Sequence, residues 1–415
     1  MLDSASTDAL TEEIELIDYA YGGYAVGRGA SGRVLFVRGG VPGERVRIRI
    51  TTQRSRLAYG DVVEVLRASK YRVPHVWDEP VGYYAADLGH IDLKYQRELK
   101  RQALLDGARR LGSPLLAERL AEVLDTVSFG DRELGYRLRT RVIALGDGRV
   151  GMHIGHSEQV VALTRLPLVH EDIQDLDFSA LPAAAGQEIV LARGEDAQGA
   201  QVRAVIGGQA YQADAVKAQD PWITYRVAGG SSGSEWRADF RAAAGGFWQA
   251  HRHAAAALSD AVRLPERART LELYSGSGLL TAAIARCGAI PLACVETDRL
   301  AVRAAKYNLR ALPEGLSHDV RLLHARVTPH TILEAGEVDA IVADPPRAGL
   351  GRANVEAINA SNARYLHAMF CDQASALRDL QHLLNLGWNL KEAVFYDLFP
   401  HTHHLEVVAR LVRDL

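Results

Sequence analysis

A chain of 415 residues has room for roughly two to four domains with a full apolar core. Its 48% apolar and 24% charged residues fit an ordinary globular protein, and no apolar run is long enough to cross a bilayer. The first residues show no secretory leader, and the three cysteines supply neither a disulfide framework nor zinc-site spacing. A net charge of −3 rules out nucleic-acid binding by the field of the whole molecule, so any such contact must come from local basic patches. These features lead us to expect a cytoplasmic protein without membrane or metal, and a monomer by default.

From Ile14 to about Arg67 the sequence alternates with period two between glycine turns, which predicts a small β-barrel. Val46, Ile48 and Ile50 face one way and Arg45, Arg47 and Arg49 the other. With Arg54 and Arg56 they form a basic stripe, either a solvated strand face or a phosphate-binding surface of an oligonucleotide-binding barrel. Helical spacing runs from Lys94 to about Leu124, where basic residues either meet RNA or form a solvated face. Period two returns from about Asp131 to Val227. The stretch Gly229-Gly230-Ser231-Ser232-Gly233-Ser234 predicts a flexible break. The expected organisation is a barrel over 1–68, a central β-rich domain over 69–235 and an α/β Rossmann-like domain over 236–415.

The last domain opens with Phe247-Trp248-Gln249 and then Leu271-Glu272-Leu273-Tyr274-Ser275-Gly276-Ser277-Gly278. An apolar run ending in Gly-x-Gly before a helical segment reads as strand, tight turn and helix. Gly276 and Gly278 let a ligand approach the backbone, and the helix start offers free N–H groups. Thr281 stands where a dinucleotide fingerprint places a third glycine, which argues against NAD or FAD. Glu296 ends the next strand, roughly 20 residues on, where an acid can hold ribose hydroxyls of an adenosine-containing cofactor. A further apolar strand ends in Asp344-Pro345-Pro346-Arg347, a mark of methyltransferases that act on nucleobases. Cys371 lies between a strand and a helix start, a place that lowers a thiol's pKa. Cys287 and Cys294 read as inert. His401, His403 and His404 lack the companion ligands of a metal site. Glu406 begins the final strand, as a capped loop residue or as a base held over a site.

Taken in order, Phe247-Trp248-Gln249, Tyr274-Ser275-Gly276-Ser277-Gly278, Asp344-Pro345-Pro346-Arg347, Cys371 with Arg378-Asp379-Leu380, and the run from Asp397 to Glu406 resemble the motifs of the RNA uracil-C5 methyltransferases. The barrel resembles the TRAM domain attached to RNA-modifying enzymes. The resemblance implies a class I S-adenosylmethionine-dependent methyltransferase domain, preceded by a β-rich domain, with the helix near 94–124 packing on the catalytic domain. It casts Cys371 as the nucleophile at uracil C6, Glu406 as the base that removes the C5 proton, and Asp344 as the residue holding the base's polar edge. Gln249, Tyr274, Gly276, Gly278, Glu296 and Asp344 would line the cofactor pocket, and Arg45, Arg47, Arg49, Arg54 and Arg56 would meet RNA. The TRAM-like start favours 23S ribosomal RNA, with tRNA as the alternative target. Methyl transfer to another base, or a catalytically inactive RNA-binding protein, are the rival readings.

Two departures from the pattern stand out. The iron-sulfur cysteines of some relatives fall near Val73, Tyr83, Ala86 and Leu166 here, so no such cluster is expected. The usual Asn-Pro after the cysteine is Asp372-Gln373, and a carboxylate pointing at the thiol would raise its pKa. His251 also stands where Asn is common.

Overall fold

The computed structural model describes residues 11–111, 113–130, 133–155, 157–230, 235–311 and 320–413. These fall into two compact units: residues up to Asp106 with His153–Gln159 and Phe399–His404 form one, and the remainder forms the other.

In the first unit, Thr11–Ala20, Tyr24–Arg28, Val34–Arg38, Leu57–Arg67 and Arg45–Gln53 close a five-stranded barrel in that spatial order. The alternation read in the sequence is the cause: Ile14, Leu16, Leu35, Val46 and Ile48 fill the interior, while Arg45 and Arg49 point to solvent. Gly22 and Gly23, with φ of 97° and 81°, make the tight turn between the first two strands.

The second unit holds three sheets. Six antiparallel strands run in the order Gln209–Gln212, Gly199–Ile206, Glu188–Asp196, Arg139–Ala144, Val150–His153 and Val160–Ala162. Trp222–Gly229 and Trp236–Ala243 pair as a two-stranded sheet. The break expected over residues 229–234 begins on the last residue of Trp222–Gly229 and its residues 231–234 lie outside the described residues, but the strands on either side are hydrogen-bonded to each other. The expected boundary at 235 therefore falls inside one antiparallel pair.

The third sheet has eight strands: Arg321–His324, Ile290–Glu296, Arg269–Leu273, Ala340–Ala343, Tyr365–Phe370, Glu406–Val412, Asn389–Asp397 and Leu124–Ser128. The first five are parallel, and Glu406–Val412 runs against its neighbours. Every residue of Ala340–Ala343 is buried, as a strand covered on both faces requires. Leu124–Ser128 extends this sheet beside Asn389–Asp397, which the sequence did not reveal because its residues are too polar to read as a core strand. The helical stretch expected over 94–124 is two helices, Leu93–Arg110 and Pro114–Val123. Ser113 starts the second, its hydroxyl accepting the Leu116 N–H at 3.3 Å, with Pro114 in the first turn where its missing N–H costs nothing.

Candidate active site

Parallel strands deliver their following residues to one edge of the sheet, and the candidate site is built there. Leu273 pairs with Ala343 and with Val295, so Tyr274, Asp344 and Glu296 emerge side by side. Ala343 pairs with Ala368 on the next strand, and Phe370 pairs with Val407 on the one after. One step beyond that last pair stand Cys371 and Glu406. Residues spread over more than a hundred positions, from Tyr274 to Glu406, are thus brought to one edge by strand register.

The cofactor loop has the shape its glycines require. Tyr274, Gly276 and Gly278 all have positive φ, at 61°, 54° and 86°. At Gly276 an added Cβ would meet nothing within 4 Å, whereas at Gly278 it would approach Ala305 at 3.4 Å. Leu279–Arg286 begins immediately after as a helix whose first N–H groups face the loop. Glu296 accepts the Gly276 N–H at 2.9 Å through Oε2, and the Thr297 and Asp298 N–H groups at 2.6 and 2.7 Å through Oε1. Its carboxylate therefore fixes the turn and remains half-exposed at the strand end. A pocket opens here, lined by Phe247, Trp248, Gln249, Tyr274, Ser277 and Asp344 among others. The buried Ser275 hydroxyl, in this loop, lacks a hydrogen-bond partner among the described residues. A nucleoside with an amino-acid tail fits this donor set: backbone N–H groups and Ser275 for its polar groups, Glu296 for a ribose.

Gln249 Nε2 donates to Asp344 Oδ2 at 3.1 Å, joining the Phe-Trp-Gln loop to the Pro-Pro loop. Burial drives the Asp344 carboxyl up to about 7, against the opposing effect of that hydrogen bond. Glu406 is 4% exposed, and burial together with the charge of Asp344 pushes its carboxyl well above the ordinary carboxylate range. Its Oε1 has no hydrogen-bond partner among the described residues. Cys371 is partly exposed. Its thiol is pushed up to about 12 by burial first, then by Glu406 and Asp344, with Arg347 opposing. The expectation of a lowered thiol pKa is thus corrected: two carboxylates and poor solvation outweigh the helix N-terminus.

Asp372 is not among the charges that raise the Cys371 thiol. It caps the helix Gln373–Asn385, accepting the Ser375 N–H at 2.9 Å. Asp and Asn cap helices equally well, and Gln373 takes the first helical position where Pro is favoured but not required. The departure from Asn-Pro therefore preserves the local architecture. His251 is buried, accepting the His253 N–H at Nδ1 and packing on Tyr136 and Phe129; burial pushes its imidazole down to about 3.

Arg378 and Asp379, in the helix after Cys371, hold a neighbouring loop. Asp379, 1% exposed, accepts the Leu350 N–H at 2.6 Å and the Gly351 N–H at 3.4 Å. Its other oxygen accepts from Arg378, which also donates to the Ala348 carbonyl at 2.7 Å. The helix that follows Cys371 thereby grips the loop that follows Asp344-Pro345-Pro346-Arg347. An Arg-Asp dipeptide in a helix gave no signal of this by itself.

Of the basic stripe in the other unit, Arg45 pairs with Glu13 at 3.1 Å, and Arg47 pairs with Glu13 at 2.8 Å and with Glu64. Their charge is compensated across neighbouring strands. Arg49, Arg54 and Arg56 have no ion pair among the described residues. Cys294 is buried beside Glu272, and Cys287 donates to the Ile284 carbonyl at 3.2 Å.

A Rossmann-like sheet with a glycine cradle, an acid at the end of the second strand and reactive side chains at the same edge defines a class I methyltransferase. Residues 251–414 match the family model described as tRNA (Uracil-5-)-methyltransferase. An uncharacterized RNA methyltransferase of Streptomyces avermitilis is 33% identical, with 96% of this chain and 97% of that protein aligned. A protein of Chromohalobacter salexigens named 23S rRNA (uracil(1939)-C(5))-methyltransferase is 28% identical over 98% of this chain and 90% of its own length. The tRNA (uracil-54, C5)-methyltransferase of Pyrococcus abyssi, solved with S-adenosyl-L-homocysteine, shares the fold at a TM-score of 0.68 and 18% identity, over 96% of this chain and 100% of that one. The chain belongs to the RNA uracil-C5 methyltransferase family, whose members depend on S-adenosylmethionine.

Proposed function

We propose that this protein methylates C5 of a uridine in 23S ribosomal RNA, in the cytoplasm, through a transient covalent bond from Cys371 to the base. The observation that carries this reading is the meeting of Cys371, Asp344 and Glu406 at one sheet edge, beside the cofactor loop. Uracil C5 is a weak nucleophile until something adds at C6. Cys371 gives up its proton to solvent as the uridine docks, leaving Glu406 unprotonated for the later step, and its sulfur bonds to C6, sending the electron pair of the C5–C6 bond towards the O4 carbonyl. Asp344, held by Gln249, orients the polar edge of the base. Bound S-adenosylmethionine supplies an electrophilic methyl group to C5. Glu406 then takes the C5 proton, the C5–C6 double bond re-forms, and the sulfur leaves. A buried carboxyl with a free oxygen suits that last transfer, because it exchanges a proton without competing ligands.

Tyr274, Gly276, Gly278 and Glu296 hold the cofactor, with Glu296 on the ribose. The target uridine must leave its stack to reach the edge. On the barrel, which we assign as TRAM-like, Arg49, Arg54 and Arg56 meet phosphates. The choice of 23S over transfer RNA is supported by the C. salexigens relative, aligned along nearly the whole chain. Mass spectrometry of 5-methyluridine in separated 23S and transfer RNA from a deletion strain tests it. Loss from 23S RNA alone is the expected result, and loss from transfer RNA alone would transfer the assignment to that substrate.

A further inference from the structure

The two-stranded sheet Trp222–Gly229 and Trp236–Ala243 has one face in the core, through Ile223, Tyr225, Val227, Phe240 and Ala242. Period two places Trp222, Thr224 and Arg226, with Arg237, Asp239 and Arg241, on the other face. Arg303 and Tyr307 join them from the helix Arg299–Asn308, four positions apart and so on one side of it. The Arg241 guanidinium lies 5.7 Å from the Trp222 ring centroid and 4.4 Å from that of Tyr307, and the Arg303 guanidinium lies 5.5 Å from Trp222. Two cations thus share one indole.

Only part of this charge is balanced. Asp239 is taken by Arg226 through two contacts of 2.9 Å. Arg237, Arg241 and Arg303 have no ion pair among the described residues. The Arg241 backbone is fixed: its N–H donates to Asn308 Oδ1 and its carbonyl accepts from Asn308 Nδ2, both at 2.8 Å. Asn308, 6% exposed, also donates to the Ser277 carbonyl of the cofactor loop at 2.8 Å. Like charges held close on a fixed backbone repel one another until an anion lies between them. Tyr307, 52% exposed, offers an aromatic surface beside them, and Arg237, Arg241 and Tyr307 line one groove.

Resting on the reading of the active site given above, we infer that this face is a second RNA contact, anchored to the cofactor loop. Arg237, Arg241 and Arg303 take successive phosphates of a single-stranded segment, and Tyr307 stacks on a base. Guanidinium groups interleaved with aromatic rings are the composition such strands select. An acidic protein would use the charges but would not need the exposed ring.

The test uses the full chain, with fluorescent oligouridylate and bulk 23S RNA as probes. Arg241→Ala with Arg303→Ala should weaken binding and flatten the plot of log affinity against log salt by about 1.4, at about 0.7 per lost phosphate. Tyr307→Ala should weaken binding by about 5-fold or more through lost stacking. KM for RNA should rise with kcat retained, and affinity for S-adenosylhomocysteine, measured by calorimetry, should be unchanged. Wild-type protein that methylates RNA while the variants keep its affinity and salt slope would overturn the patch and leave the active-site reading intact. Displacement of oligouridylate by polyaspartate, with no effect of Tyr307→Ala, would also overturn it in favour of an acidic partner. A wild-type protein that methylates no uridine would overturn the reading on which the patch rests.

Discussion

Alkylation of Cys371 in the free protein follows directly from the electrostatics of the site. A thiolate, not a thiol, reacts with iodoacetamide. With its pKa pushed from 9.0 to about 12, Cys371 has about 1000-fold less thiolate at pH 8 than an ordinary cysteine, one factor of ten per unit. Burial adds to the slowing. The sign is fixed: labelling should accelerate as pH rises, by roughly tenfold per unit, and show no plateau up to about pH 10, provided the fold persists. The assay compares the Cys371 peptide from native and unfolded protein by mass spectrometry across a pH series, with circular dichroism at each point. A plateau near neutral pH, or labelling at pH 8 as fast as in the unfolded chain, would refute the claim that burial and the two carboxylates hold this sulfur protonated.

Stability should also depend on pH through Glu272. This carboxyl is wholly buried, accepts from Thr281 and Cys294, and is raised from 4.5 to about 8 by burial. Between those values the folded state binds the extra proton, so stability falls as pH rises through the window and returns as pH is lowered. The largest contribution this allows is about 5 kcal/mol, and Glu272→Gln should flatten the dependence in urea titrations; an unchanged slope would contradict it. Gly349 has φ of +75°, and an added Cβ would lie 2.3 Å from Asp379 Oδ2. Gly349→Ala should cost about 1–3 kcal/mol and lower methyl transfer by displacing the Pro-Pro loop; wild-type melting and activity would show that the grip of Asp379 is dispensable.

The barrel and the catalytic sheet were legible because their strands alternate or run wholly apolar, and because glycines mark their turns. Cys371, Asp344, Glu406 and Glu296 were legible as strand-end residues, and the structure brings them to one edge. The thiol's pKa was not, since it depends on desolvation and on carboxylates brought close only by strand register. Arg45 and Arg47 read as free cations because Glu13 and Glu64 lie on other strands, opposite them only after the barrel closes. The grip of Asp379 and the added strand Leu124–Ser128 share that cause: their partners are far away in sequence.

The covalent step is the centre of the account, and Glu406→Gln isolates it. Incubated with S-adenosylmethionine and 23S RNA, this variant should accumulate a protein–RNA species that survives denaturing electrophoresis, because the C5 proton can no longer leave. Digestion should place the nucleotide on Cys371, and Glu406→Gln combined with Cys371→Ala should give no such species. Persistence of the adduct in the double variant, or undiminished 5-methyluridine formation by Cys371→Ala alone, would contradict it.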